Sequence, residues 1–250
     1  MQGHGWHEDL MALSPTPPDH PKHHSARGRL ALVRGREIEI GFLGAEGRPC
    51  DHRRSEILWA SSPVTQVRWR PVGPASDTFA VIEAGGARDG AVVVHKALDE
   101  SWGWRERRQD SYVLHHGDAW AVEWEPTRGE RLVVGVSRGT PLKLLDLQAQ
   151  QWVAPHLGSS LHSDCFAPAW LSPDSALLGL RNGEVRLADF RCPLRGAPTT
   201  TLPLVNRMGN VVDQVAALRD GRGIVVSDRL GGLHLGDLRV PGTFVGQGVA

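Results

Sequence analysis

Residues 165–191, CFAPAWLSPDSALLGLRNGEVRLADFR, contain the most complete copy of a pattern that indicates a β-sheet fold. A short apolar run ends in Trp170, a polar turn with a proline follows, and a second apolar run leads into Asn182-Gly183. A third apolar run then ends in the acidic signature RLADFR (Arg186–Arg191). Short apolar runs between Gly and Pro turns are typical of β-strands, and the Asn-Gly pair favours a type I′ turn with positive φ at both residues.

The same order of runs and turns occurs four times along the chain. The first run of each unit ends at Trp69, Trp124, Trp170 or the tryptophan stand-in Leu218, at intervals of 55, 46 and 48 residues. The third runs of the last three units carry Asp146, Asp189 and Asp237. Helical periodicity is nearly absent. The chain is therefore predicted to be all-β, with the period of a propeller blade of three or four short strands.

The four units resemble WD40 repeats over about 180 residues, from Val64 to Val245. The resemblance is degenerate, because Leu145-Asp146, Ala188-Asp189 and Gly236-Asp237 stand where the family has Trp-Asp. It implies a WD40-like β-propeller, in which the three acids close turns within the blades and Trp69, Trp124 and Trp170 pack inside them. Such propellers usually serve as docking platforms.

A narrower resemblance concerns the ends of the last two units, Asp189-Phe-Arg191 and Asp237-Leu-Arg239. Both are similar to the Asp-x-Arg ending found in substrate receptors of cullin-RING ubiquitin ligases. In that family the arginine contacts the damaged-DNA-binding adaptor, itself a propeller. The resemblance implies that Arg191 and Arg239 bind the adaptor, although a solvated arginine is an equally open reading. The preceding unit has Gln148 at this place.

The organisation along the chain predicts one large domain after a tail. Residues 1–27 hold four prolines and five histidines and are expected to be a disordered tail. Residues 28–250 are expected to form the propeller, and Gly35-Arg36 is predicted to join two strands in a hairpin. The units are one partial (28–61) and four clear ones (62–116, 117–157, 163–205 and 211–245). Seven blades would need roughly 280–315 residues, so the propeller is expected to be incomplete or irregular.

Composition narrows the class of partner and the compartment. The 28 basic and 28 acidic residues cancel, which disfavours a general attraction to nucleic acid or to an anionic membrane. Three cysteines without a C-x-x-C pair argue against a disulfide framework and against a structural zinc site. The sequence has no apolar run of membrane-spanning length and no secretory signal, so a nuclear or cytoplasmic location is expected.

The sequence has no recognisable catalytic, cofactor or metal motif. His162, Asp164 and Cys165 lie close together, but they match a strand-linking loop better than a Cys/His nucleophile. A non-enzymatic interaction scaffold without a cofactor is therefore expected. The alternative that stays open is an RNA- or chromatin-associated scaffold acting through the insert 98–109, whose Trp and Arg residues suit nucleic acid but whose acids oppose it.

Overall fold

Every regular element in the described part of the chain is a β-strand. The computed structural model of the protein describes residues 10–13, 26–44, 49–50, 56–71, 78–84, 90–97, 107–114, 117–138, 140–153, 163–191, 201–202, 210–218, 220–240 and 244–247. Within these ranges the strands form five antiparallel sheets, which we number 1 to 5 along the chain. The predicted all-β class is confirmed, whereas the arrangement of the sheets around a common axis stays a prediction. Among these same residues, none forms a helix with the length and apolar character needed to cross a membrane.

The chain divides into two compact units, Met1–Leu114 and His115–Ala250. The first unit contains sheet 1, with β1 (Leu10–Leu13), β2 (Ala26–Arg34), β3 (Glu37–Gly44), β4 (Pro49–Cys50) and β5 (Glu56–Trp59). It also contains sheet 2, with β6 (Val64–Trp69), β7 (Phe79–Glu83), β8 (Ala91–Ala97) and β9 (Arg107–Val113). Sheets 1 and 2 share a core, in which Val33, Ile38 and Ile40 of sheet 1 cluster with Trp69 and Phe79 of sheet 2.

The start of the chain differs from the prediction of a disordered tail. Leu10–Leu13 forms β1, which pairs antiparallel with β2 in the register Leu10↔Val33 to Leu13↔Leu30. The prediction is therefore wrong for these four residues, because an extended segment can satisfy its backbone groups on the free edge of β2 without a long apolar run of its own. It is also wrong for Ala26 and Arg27, which begin β2. Residues 1–9 and 14–25 lie outside the described residues.

The second unit contains three sheets of one design. Sheet 3 is β10 (Asp118–Trp124), β11 (Arg131–Ser137), β12 (Leu142–Asp146) and β13 (Gln151–Val153). Sheet 4 is β14 (Cys165–Ser172), β15 (Ser175–Leu180), β16 (Val185–Asp189) and β17 (Thr201–Leu202). Sheet 5 is β18 (Val212–Ala217), β19 (Gly223–Asp228), β20 (Leu233–Asp237) and β21 (Phe244–Gln247). In each, every strand pairs with the next one along the chain, as in a meander.

Two apolar interfaces hold these three sheets together, one on each face of sheet 4. Leu178 and Leu180 of β15 cluster with Val133 and Leu142 of sheet 3. Leu177 of the same strand clusters with residues of the opposite interface, which are Ala167, Ala169, Val185, Val212, Ile224 and Val226. Since β15 is buried on both faces, its sequence is a continuous apolar run and does not alternate.

Glycines allow the sheets to approach closely at equivalent positions. A Cβ added at Gly135 of β11 would lie 2.5 Å from the carbonyl oxygen of Cys165, and one at Gly179 of β15 would lie 2.5 Å from Val212 Cγ1. A side chain at either position would require the contacting residues to shift. Ser227 occupies the corresponding position of β19 in sheet 5.

The turns confirm one sequence prediction and correct another. Gly35 and Arg36 join β2 to β3, with a φ of 63° at Gly35, so the predicted hairpin is confirmed. The type I′ turn predicted for Asn182-Gly183 is wrong, because only Gly183 has a positive φ, of 86°. Gly183 N donates to Leu180 O at 3.1 Å, and Leu180 N donates to Glu184 O at 2.9 Å. The loop thus has three residues and ends in a left-handed glycine, a common hairpin closure.

Candidate functional site

The first candidate site is the Asp189–Arg191 turn at the end of β16. Asp189 Oδ1 accepts hydrogen bonds from Arg191 N at 2.9 Å and from Arg191 Nε at 3.0 Å. Asp189 Oδ2 accepts a third from Arg191 Nη2 at 2.6 Å. The side-chain hydrogen bond from Arg191, followed by its backbone N–H, lowers the pKa of Asp189 to about 2. The carboxylate therefore closes the turn and holds the guanidinium, while the arginine side chain stays 70% exposed.

The turn at Asp237–Arg239 repeats this geometry at the end of β20. Asp237 Oδ1 accepts from Arg239 N and Nε, both at 2.9 Å, and Oδ2 accepts from Nη2 at 2.5 Å. The same hydrogen bonds lower the pKa of Asp237 to about 2. The Arg239 side chain is 61% exposed. Two consecutive sheets thus present an arginine oriented by its own turn.

The turn after β12 has the acid without the arginine. Asp146 Oδ1 accepts hydrogen bonds from Gln148 N and Ala149 N, both at 2.9 Å. The backbone turn is thus made by the carboxylate alone, as in an Asx-turn. Because Gln148 replaces the arginine, sheet 3 has no guanidinium at this place.

The three tryptophans singled out by the repeat are all buried. Trp69, Trp124 and Trp170 occupy the same register position in sheets 2, 3 and 4. Trp170 Nε1 donates to Glu123 O at 3.0 Å, so this ring joins sheet 4 to sheet 3 by a hydrogen bond as well as by packing. Burial and a satisfied indole N–H are what a packing residue needs.

The register corrects the residue that stands for tryptophan in sheet 5. Trp170 pairs with Ala176, and the equivalent pair in sheet 5 is Ala217 with Ile224. The stand-in is therefore Ala217, 47 residues after Trp170, and the assignment to Leu218 is wrong. Leu218 follows β18 and is 43% exposed. An apolar residue at the end of a run does not reveal by itself on which face it lies.

A second candidate site lies where the first strands of sheets 3, 4 and 5 begin. Each of β10, β14 and β18 shifts register after its first or second residue, which leaves Trp120, Phe166 and Asp213 outside the regular pairing. Such bulges redirect a side chain out of the sheet pattern. The rings of Trp120 and Phe166 meet edge to face with centroids 4.7 Å apart, and Trp120 is 48% exposed.

A guanidinium completes this second site. Arg229, in the loop between β19 and β20, lies with its Cζ 5.5 Å from the centre of the Phe166 ring. This distance is within the range of a cation–π contact. We call Trp120, Phe166 and Arg229 the aromatic–arginine patch. Trp and Arg are the side chains most enriched at the centres of protein interfaces.

Neighbouring arginines at this end of the sheets are paired with acids. Arg138 Nη2 lies 2.5 Å from Asp118 Oδ2, and Arg181 Nη1 lies 3.4 Å from Asp164 Oδ2. Asp118 and Asp164 both stand two residues before the bulge of a first strand, and Val211 is the residue at that place in sheet 5. Among the described residues, Arg229 forms no ion pair.

The two candidate sites lie at opposite ends of the sheets. In sheet 4, Arg181 follows the end of β15 that pairs with Cys165 at the start of β14. The Asp189–Arg191 turn follows the other end, where Ser175 pairs with Asp189. Sheet 5 has the same polarity, with Arg229 at one end and Arg239 at the other. A partner bound at one end leaves the other end accessible.

The environment of Cys165 does not suit a nucleophile. Cys165 is fully buried, and burial raises the pKa of its thiol to about 12. A thiolate is therefore not formed near neutral pH. Asp164, the neighbouring acid, accepts a hydrogen bond from Arg138 N at 3.1 Å. His162 lies outside the described residues, as does the tryptophan-rich part of the insert, residues 98–106.

The comparisons with known proteins add no family. No protein-family model and no curated protein matches this chain.

Sequence reasoning missed the aromatic–arginine patch. Trp120 and Phe166 both stand two residues after the acids Asp118 and Asp164, so the repeated Asp-x-aromatic spacing was a signal that could have been found. Arg229 carried no such signal, because its contact with Phe166 joins residues 63 positions apart in the chain.

Proposed function

We propose that the protein is a non-enzymatic scaffold for protein–protein interaction, and that it acts as a substrate receptor of a cullin-RING ubiquitin ligase. In this proposal Arg191 and Arg239 bind the damaged-DNA-binding adaptor of the ligase, in the nucleus or the cytoplasm. The observation that carries it is the repetition of one turn on consecutive sheets, with an exposed arginine held by its own aspartate in each.

The geometry supports this role through preorganisation. A free arginine side chain has many rotamers, and fixing it in an interface costs conformational entropy of about 1 kcal/mol. In each turn the aspartate already holds Nε and Nη2, which restricts the guanidinium before any partner arrives. Planar guanidinium groups suit carboxylate and carbonyl acceptors on a protein surface. Two of them on one molecule supply a two-point contact.

The experiment is adaptor capture by the purified protein. The Arg191→Ala/Arg239→Ala double variant should lose at least about tenfold in affinity, since arginine is enriched among the interface residues whose truncation costs about 2 kcal/mol or more. Arg181→Ala is the matched control, because its side chain is 67% exposed but lies at the other end of sheet 4. Circular dichroism should show unchanged folding for both.

A second variant tests the turn itself. Gln148→Arg places an arginine in the turn after β12, where Asp146 already accepts the backbone hydrogen bonds. Capture by Gln148→Arg should equal or exceed that of the wild type. Undiminished capture by the double variant, or equal loss in Arg181→Ala, would refute the adaptor role.

A further inference from the structure

We propose that the aromatic–arginine patch is a docking site for an acidic peptide segment of a partner protein. The site lies at the end of the sheets opposite the two Asp-x-Arg turns, so its ligand is distinct from the adaptor. The assignment goes beyond the proposed function and does not depend on it.

The charge pattern of the repeat shows why the ligand is acidic. At this end of sheets 3 and 4, Arg138 and Arg181 are neutralised by Asp118 and Asp164. In sheet 5 the residue at the place of these acids is Val211, and Arg229 has no ion pair among the described residues. An exposed guanidinium without a carboxylate is the group that a Glu or Asp side chain of a partner would pair with.

The aromatic groups show why the ligand is a peptide. Trp120 is 48% exposed although it packs edge to face against Phe166, so a flat apolar surface lies open to solvent beside the guanidinium. The Arg229 guanidinium lies beside this surface, with its Cζ 5.5 Å from the centre of the Phe166 ring. An apolar surface next to one fixed charge fits a segment with an acidic and an apolar side chain.

Among the described residues, Asp213 is an exposed acid at this same end of sheet 5. It occupies the bulge of β18 that corresponds to Phe166 in sheet 4, it is exposed, and it forms no ion pair with Arg229 within the described parts of the chain. Its carboxylate opposes an acidic ligand. Asp213→Asn should therefore strengthen binding, whereas loss of the arginine should weaken it.

The first experiment selects from a random twelve-residue peptide library displayed on phage, with the full chain immobilised. Asp and Glu should be enriched next to an apolar residue among the selected sequences. The most enriched peptide is then labelled and its affinity measured by fluorescence polarisation. Arg229→Ala should weaken this binding by about tenfold or more, and Trp120→Ala by several-fold, as expected for the centre of an interface.

Matched variants distinguish the loss of a specific charge at the patch from a general disturbance of the fold. Arg181→Ala removes an arginine that is already paired and should change the affinity by less than about threefold, as for a peripheral exposed charge. Val211→Asp restores the acid of the repeat beside Arg229 and should weaken the peptide while leaving the melting temperature unchanged. Adaptor capture should be unaffected by Arg229→Ala, so that failure of this site and failure of the adaptor site are distinguishable.

Three results of these peptide experiments would overturn the proposal. They are selection without enrichment of acidic residues, affinity that does not depend on Arg229, and equal losses in Arg181→Ala and Arg229→Ala. Binding of a single-stranded oligonucleotide with a steep salt dependence, lost in Arg229→Ala, would assign the patch to nucleic acid and would equally overturn it.

Discussion

Sheets 4 and 5 have the same architecture but different surroundings. Both are meanders, both have a three-residue loop closed by a left-handed glycine after the second strand, and both end the third strand in an Asp-x-Arg turn. β15 is nevertheless buried at all its positions, whereas β19 alternates between buried and partly buried residues. Local sequence therefore produces the same sheet in both cases, and the neighbours decide which faces are covered.

The differences between the two sheets lie at equivalent positions. Leu187 of sheet 4 packs into the interface with sheet 5, while its equivalent Leu235 is 55% exposed. Gly179 and Ser227 form another such pair, as do Trp170 and Ala217. Glycine is thus used where the next sheet approaches closely, as at Gly179, whereas Ala217 replaces tryptophan although it packs into the interface with sheet 4.

The largest effect is expected from breaking the contact between sheets 3 and 4. Trp170→Ala removes a buried ring and its hydrogen bond to Glu123, and should lower the free energy of unfolding by about 3–5 kcal/mol. Chemical denaturation followed by circular dichroism measures this. Leu218→Ala in sheet 5 is the control and should cost less than about 1 kcal/mol, because it is partly exposed. Similar losses for the two variants would contradict the comparison.

The next effect concerns the close approach of sheets 4 and 5. Gly179→Ser adds a side chain whose Cβ would lie 2.5 Å from Val212 Cγ1 and 2.9 Å from Val215 Cγ2. Overpacking of this kind should cost about 1–3 kcal/mol of unfolding free energy. Ser227→Gly, the reverse exchange in sheet 5, should cost less than about 1 kcal/mol, chiefly through chain entropy. If Gly179→Ser left the free energy of unfolding unchanged, the interface between sheets 4 and 5 would relax easily.

A smaller difference is expected for the two leucines. Leu187→Ala should lower the unfolding free energy by about 1–2 kcal/mol, less than for a fully buried leucine because Leu187 is only partly buried. Leu235→Ala should change it by less than about 0.5 kcal/mol. If Leu235→Ala were as destabilising as Leu187→Ala, the outer face of β20 would be covered in solution. Thermal melts at two protein concentrations would detect such self-association.

The smallest effect on stability is expected from the Asp-x-Arg turns, which have the same geometry in sheets 4 and 5. The folded-state pKa values of Asp189 and Asp237 are both about 2, below the ordinary aspartate value. The stabilisation from these pairs should therefore be fully present above about pH 4 and be lost as the pH falls through about 2. Carboxyl carbon NMR should show two low midpoints, and Arg191→Ala should return only that of Asp189 toward about 3.9. Ordinary midpoints in the wild-type protein would show that the turns are open in solution.

Much of the fold was predictable because it depends on residues close together in the chain. The apolar runs and turns of the last three repeated units predicted the strands of sheets 3 to 5. Such a prediction is possible because strand and turn preferences act over a few residues. The acid of each Asp-x-Arg turn bonds to backbone two residues later, which is equally local. The loop at Asn182-Gly183 was not predicted correctly, because hairpin loops of two and of three residues can both have a glycine at this position.

The sequence alone established an all-β chain of repeated short strands, with aspartates in the turns and arginines after two of them. The packing of the sheets was needed to show that Ala217 and not Leu218 occupies the tryptophan position, which face of each strand is covered, and that Trp120, Phe166 and Arg229 meet. The physical reason is that register and sheet packing join residues far apart in sequence, and a one-residue shift moves a side chain to the opposite face.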